Sequence, residues 1–347
     1  MPRLLAACLA AASLGACSAG ASSGTPVNPT LGNPELLYAD QIYSYGIPLQ
    51  VDATSVYFAV GQSTVKQVMS VPKAGGTATR LLPKTEAEIG TFSYHPAFAL
   101  HAGTIYACRT GELDAVPAIG GDVTKLAALP SDGKVCLSIA ATDDAVYVLR
   151  TDGAIYGVAA GGGSAIRLDD ADDNNLIVTD GQAAYYVGGW SGPSSACPSA
   201  IFLGLRRVSL GAPTPVEIGC LDEAGFQSPS LAGGLLATVF AHTEVDAFAL
   251  APFDSVRTVT NQAAAFSVVT DGHDLIWSRW AEDGTGTIPR QPASIQRVAI
   301  SGGTPALLMS GGAHPASLAL DESFVYFIDE IAVDGGSSYA IERIARP

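Results

Sequence analysis

Basic residues are scarce in this chain. Lys and Arg number 18 against 33 Asp and Glu, leaving a formal net charge of -15 over 347 residues. A field of that sign repels phosphate backbones and anionic headgroups, which argues against nucleic acid as a partner. Charged residues of either sign make up only 15% of the chain and hydrophobic ones 48%, a balance that suits many short buried segments. Motifs are lacking as well. There is no P-loop, no HExxH helix, no dinucleotide-binding glycine fingerprint, and no Ser, His and Asp set in a context that would make a nucleophile. No CxxC pair supports a zinc or dithiol centre. The apolar run from Leu4 to Leu14 is too short to cross a bilayer.

That run follows Arg3 and precedes small residues and Cys17, the layout of an export signal. Leu14, Gly15, Ala16 and Cys17 resemble the lipobox of bacterial lipoproteins. The resemblance implies that residues 1–16 are a signal peptide removed on export, that the Cys17 thiol receives a diacylglycerol, and that the new amino group is acylated too. Several acyl chains on one residue suffice for stable insertion in a lipid bilayer, where one is marginal. Ser18, rather than Asp, implies the outer membrane of the cell envelope. The alternative is a plain secretory signal cut a few residues later, with Cys17 incidental. Residues 17–34 are mostly Gly, Ser, Thr and Pro and read as a flexible tether. Gly20, Ser22 and Gly24 have the spacing of a nucleophile elbow but no strand before or helix after them, so that reading is rejected.

From residue 35 to 347 one pattern recurs. LALDESFVYFID, Leu318 to Asp329, is a short apolar strand, a polar turn opened by Asp321, and a second apolar strand. Versions start at Val51, Leu100, Ala141, Val178 and Val269, with a weaker copy, LAGGLLATVF, from Leu231. After each comes a third strand marked by two apolar residues three apart: Val68 and Val71, Leu113 and Val116, Ile155 and Val158, Leu205 and Val208, Val245 and Phe248, Ile295 and Val298, Ile341 and Ile344. Residues three apart in a strand point to opposite faces, so both faces are expected to be buried. A glycine turn, as at Gly75 and Gly76 or Gly302 and Gly303, then leads into a fourth strand.

Four strands in roughly 45 residues is the size of one propeller blade. The seventh copy stops before its fourth strand, and PELLY, Pro34 to Tyr38, resembles the missing piece. The expected fold is an all-β, seven-bladed β-propeller of four-stranded antiparallel blades closed by an N-terminal strand, with a six-bladed ring as the alternative. The pattern resembles the secreted bacterial propeller lipoproteins whose blades read D-x3-VYF followed by a V-P-x2-GG turn, within a wider group of YWTD-type and NHL-type repeats. The YWTD tetrad itself is absent, as are the Gly-His and Trp-Asp pairs of WD40 blades.

In such a blade the second-to-third loops and the blade-to-blade loops share one rim, and the short first-to-second and third-to-fourth turns share the other. Asp52, Asp180, Asp271 and Asp321 open first-to-second turns, where turn chemistry is expected rather than a ligand ring. On the other rim blade four inserts WSGPSSACPSAIFLG from Trp190, blade six WAEDGTGTIPRQPAS from Trp280, and blade seven DEIAVDGGSSYA from Asp329. Blade five has only AHTE. A notch is expected there, with His242 and Glu244 on its floor and Trp190 and Trp280 on its walls, against the plainer reading of decorative loops.

Once Cys8 leaves with the signal and Cys17 is acylated, Cys108, Cys136, Cys197 and Cys220 remain. Four cysteines allow three pairings. Cys108 ends the second strand of blade two and Cys136 opens the first of blade three, while Cys197 and Cys220 fall in corresponding loops of blade four. Each pair shares a rim, so the expected disulfides are Cys108 with Cys136 and Cys197 with Cys220. His95 and His314 each precede Pro-Ala on the loop-rich rim, but no carboxylate stands at ligand spacing beside either, and turn histidines are expected. DDADDNN, Asp169 to Asn175, resembles half of a calcium loop without its Gly and Glu, so a solvated acidic loop is expected, with calcium as the alternative and no other cofactor.

Two functions follow. The first is a non-catalytic binding or scaffold module, a monomer displayed on its tether, offering the loop-rich rim to a protein, peptide or glycan. The second is a channel-mouth enzyme of the lyase, cyclotransferase or quinone-dependent dehydrogenase kind, for which His95, His242 and His314 are the candidates. Repetition constrains the core and says nothing of chemistry.

Overall fold

The computed structural model describes residues 32–40, 49–62, 65–82, 85–86, 97–109, 111–171, 176–188, 202–222, 227–240, 242–260, 264–281, 292–312, 314–333 and 336–346. Among them every regular element is a strand, and the strands form seven antiparallel sheets. Six sheets have four strands; blade one has five, because Thr85–Glu86 also pairs with its third strand. The seventh sheet takes its outer strand, Glu35–Asp40, from the N-terminus, and Leu36 stands opposite Glu342 and Tyr38 opposite Ile341. The molecule is a seven-bladed β-propeller, and its first and last segments share a sheet.

The first strands are Leu49–Val51, Phe98–His101, Cys136–Ala141, Val178–Thr179, Gln227–Ala232, Ala265–Thr270 and Ala316–Leu320. Each lies beside the first strands of both neighbouring blades, all the way round, so these strands line the centre. A strand there has a sheet partner on one side only, and its outward backbone groups need other donors and acceptors. Side chains from the next blade supply several of them. Gln50 donates to the Phe98 carbonyl at 3.2 Å and accepts from Leu100 N at 2.5 Å. Ser138 Oγ accepts from Ile177 N, Ser230 Oγ from Thr270 N, and Ser267 Oγ from Leu318 N, each at 3.2 Å.

The third strands carry the packing between blades. Of the fourteen paired apolar residues, thirteen are at most 3% exposed, and only Phe248 is merely half-buried. In blades two to seven the members of a pair go to different cores. Ile155 packs with blade four and Val158 with blade two; Ile295 packs with blade seven and Val298 with blade five; Ile341 packs with blade one and Ile344 with blade six. A sheet buried on both faces thus has the three-residue spacing as its signature.

Three expectations need correction. DEIAVDGGSSYA is a continuation of strand rather than a loop: blade seven's second and third strands run Phe324–Val333 and Gly336–Ala345, paired through Glu330 with Tyr339 to Val333 with Gly336. Asp169 is no solvated loop residue. It lies in the strand Ile166–Asp170, accepts from Tyr186 Oη at 2.6 Å and Arg206 Nη1 at 3.0 Å, and holds two strands of blade four. Of the positions that resemble a calcium loop, Asp170 pairs with Arg167 in the same strand, and Asp172 and Asn174 lie outside the described residues. Cys220, expected in a loop, lies within the eleven-residue strand Ala212–Asp222.

Cys108 and Cys136 form a disulfide with Cα atoms 6.3 Å apart, joining blades two and three on the loop-rich rim. Cys220 is also disulfide-bonded; Cys197, its expected partner, lies outside the described residues. No helix among the described residues is long and apolar enough to cross a membrane.

Candidate functional site

The short-turn rim is built from one device. Asp52 accepts from the backbone of Thr54 and Ser55 with one oxygen and from Tyr57 Oη at 2.6 Å with the other. Asp180 does the same with Gln182, Ala183 and Tyr185, and Asp321 with Ser323, Phe324 and Tyr326. The tyrosine is that of the VYF triplet, five residues after the Asp, so the repeat encodes a carboxylate–phenol pair as well as a turn. Blade six has Ile276 at that position, and Arg346 of blade seven takes the second oxygen of Asp271 instead. Burial raises these carboxyls, but the hydrogen bonds outweigh it. Asp271, bonded by Arg346, and Asp321, bonded by Lys73, are each held down at about 2. Burial and the Asp partner push Tyr57 and Tyr185 up to about 12.

Ion pairs on this rim cross between blades. Lys73 of blade one reaches Asp321 of blade seven and lies 5.3 Å from the Tyr326 ring centroid. Arg346 of blade seven also meets Asp274 of blade six at 3.1 Å, and His101 of blade two meets Asp143 of blade three at 2.8 Å. Arg343 binds Glu35 and the Lys73 carbonyl together. The Asp ring is therefore structural, as turn chemistry predicts.

The loop-rich rim of blades five to seven is different. His242 occupies the three-residue turn between Leu235–Phe240 and Glu244–Leu250 with φ of 56°, a conformation uncommon outside glycine. Its carbonyl accepts from Ala265 N at 3.1 Å and its Nδ1 donates to Ala265 O at 2.8 Å, docking blade five onto the first strand of blade six. The His242 and Phe266 rings lie nearly parallel with centroids 6.2 Å apart; Phe266 stacks on Trp280 at 4.0 Å; Trp280 meets His314 edge-on at 5.2 Å. His314 Nδ1 is 2.5 Å from Glu330 Oε2. Four rings from three blades thus form one row, closed at one end by a carboxylate.

The structure brings His242 and Trp280 together, with Phe266 between them. Phe266 was not singled out in the sequence, where it is an ordinary apolar residue opening a strand. Its direction follows from the bulge between Ala265 and Ser267, which no spacing announces. Glu244 goes elsewhere. Val245 and Ala247 pack toward blade six, so Glu244 and Asp246 turn to blade four, where burial and then Glu244 push the Asp246 carboxyl up. Trp190 and His95 lie outside the described residues. The carboxylate of Glu330 beside His314 is sixteen residues away in the chain, beyond any ligand spacing.

At the boundary of blades six and seven stands a second acidic pair. Asp329, 3% exposed, accepts from His314 N at 2.7 Å and from Glu330 N at 2.8 Å. Glu342 is half-buried, and burial followed by the Asp329 charge pushes it up to about 7. Among the described residues no group of three or more His, Cys, Asp or Glu is placed to hold a metal ion.

The chain matches no protein-family model and no curated protein. Solved structures do resemble it. The computationally designed Ika8 protein aligns with a TM-score of 0.58 at 10% identity over 90% of this chain and 99% of its own. Oligogalacturonate lyase from Vibrio parahaemolyticus aligns at 0.58 and 10%, covering 90% and 97%. The WD40 β-propeller domain of Doa1 aligns at 0.56 and 10%, covering 91% and 97%. At that identity the likeness is one of fold alone.

Proposed function

We propose that this chain is a non-catalytic binding or scaffold propeller, held in the cell envelope by an acylated Cys17 and offering the loop-rich rim of blades five to seven to a protein, peptide or glycan. The observation that supports this reading is the row His242, Phe266, Trp280 and His314: rings drawn from three blades that converge on one rim, where the blade repeat has no need of them. Aromatic side chains give large contact area at small entropic cost, and they dominate binding surfaces for that reason. Anchoring rests on the lipobox-like Leu14 to Cys17 and the Gly, Ser and Pro composition that follows.

Capture of envelope components by the full chain, compared with Trp280→Ala, tests the rim. The expected result is loss of captured material with the fold intact, and undiminished capture defeats the reading. Cys17→Ser is expected to move the protein from the membrane to the soluble fraction, and retention in the membrane defeats the anchor. A second reading, a channel-mouth enzyme, is favoured by one observation, the His314 imidazole held against Glu330 as a carboxylate-tuned base would be. Full activity in a His314→Gln variant, should a turnover be found, removes it.

A further inference from the structure

The third strand of blade seven carries an acid where the repeat calls for apolar packing. Phe327 stands opposite Glu342 and Ala340 opposite Asp329, so alternation puts Glu342 and Asp329 on one face of the blade, shared with Val325, Phe327 and Ile344. That face packs against Ile276, Ile295, Leu308 and Met309 of blade six. Two carboxylates therefore sit in the seam between the blades. Asp329 is fixed: it holds the backbone N–H of His314, the entry to blade seven's first strand, and one of its oxygens lies where a Cβ on Gly312 would be only 2.0 Å away. Glu342 is the member with room to move.

At the short-turn end of the seam Asp274 is paired with both Arg297 and Arg346. Glu330 and His314 pair with each other at the rim end. Arg279 occupies the matching end of blade six's second strand, but Leu275 and Trp277 pack toward blade five, so Arg279 turns that way too. Arg343, next in sequence to Glu342, points to the opposite face and is engaged with Glu35 and Lys73 O. Asp329 is thus the charge that acts on Glu342.

We propose that the seam between blades six and seven is a proton-responsive joint, in which Glu342 takes up or releases a proton beside Asp329 and so sets the packing of His314 and Trp280 on the loop-rich rim. With Glu342 neutral, its hydroxyl can donate to Asp329 and the seam closes without net repulsion. With Glu342 ionised, two like charges share a site of restricted hydration, and the cheapest relief is for Glu342 to swing outward. The backbone of residue 314, which Asp329 holds, shifts with the seam, and the edge contact of Trp280 on His314 loosens. The shift of Glu342 to about 7 puts this change near neutrality.

The test is the intrinsic tryptophan emission of the full chain from pH 5 to 9, with Trp280→Phe identifying the contribution of Trp280. The expected result is one transition centred near pH 7 that disappears in Trp280→Phe and in Glu342→Gln and persists at reduced amplitude in His314→Gln, which loses the ring against Trp280 but keeps the backbone N–H that Asp329 holds. Because a free imidazole titrates close by, His314→Gln is the decisive control. A transition that follows His314, one that persists without Glu342, or its absence from the wild type overturns the proposal. Folding of each variant is checked by far-ultraviolet dichroism, and Glu342→Gln, which removes a charge from a buried seam, is expected to fold.

Discussion

The two rims of this disc solve opposite problems with the same residue types. On the short-turn rim every described turn carboxylate of the repeat is saturated, by its own turn backbone and by a tyrosine or an arginine, and its pKa is lowered. On the loop-rich side burial raises both Asp246, against a hydrogen bond from Thr258, and Glu342, where the Asp329 charge adds to it. Repetition accounts for the first arrangement: a device that holds one turn holds four. The second occurs where blades differ, so it reflects something other than folding. A carboxylate held below its ordinary value adds to stability, and one pushed above it subtracts. Carboxylates that stabilise are concentrated on one rim and carboxylates under tension on the other.

The comparison can be broken at several places. The largest effect is expected at the closure. Deleting residues 32–40 removes the outer strand of blade seven, exposes Ile341 and releases Arg343 from Glu35. Urea unfolding should show a loss above about 5 kcal/mol, beyond ordinary single-site effects; an unchanged midpoint would mean that the ring is not closed this way. Replacing both Cys108 and Cys136 by Ser should cost about 2–4 kcal/mol, since their link ties two blades across 28 residues. Equal stability with and without reductant would count against it.

Tyr57→Phe should cost about 1.5 kcal/mol, the scale of a hydrogen bond to a charged group, whereas His242→Ala on the exposed opposite turn, which gives up a neutral hydrogen bond to Ala265 O, should cost about 0.5 kcal/mol, the low end of that range. Equal costs would erase the distinction between rims. The smallest effect is also the most specific. Glu342 is raised from 4.5 to about 7, so the folded chain binds its proton more tightly than the unfolded one. Its contribution is complete below about 4.5 and is lost as pH rises through 7. Glu342→Gln should therefore add about 1 kcal/mol at pH 8, after allowance for its partial exposure, and nothing at pH 4. Asp271 and Asp321 run the other way, their contribution being present above 3.8 and lost as pH falls through about 2.

Most of the architecture was legible from residues alone because burial on both faces of a strand leaves a spacing, and Val158, Val298 and Ile344 each stand where that spacing puts them. The Cys108–Cys136 link was legible for the same reason, once the rims were known. The Asp–Tyr pairs were present in D-x3-VYF but went unread, since a turn motif already explained the Asp. Phe266, Glu330 and Glu342 left no local trace. Their meaning comes from a bulge, a sixteen-residue separation and a neighbouring blade, none of which a window along the chain contains. Glu244 was misplaced in the expected notch because a one-residue step along a strand reverses the face.

The most direct measurement compares the rims by contact. A photo-crosslinking residue is placed at Thr243, exposed in the turn beside His242, and in a separate protein at Ile119, 94% exposed in a turn of the opposite rim. Irradiation in the native envelope should give a discrete crosslinked species from the Thr243 position that disappears when Trp280→Ala is added, and none from Ile119. A discrete product from Ile119, with Thr243 silent, would put the binding face on the rim assigned here to stability alone.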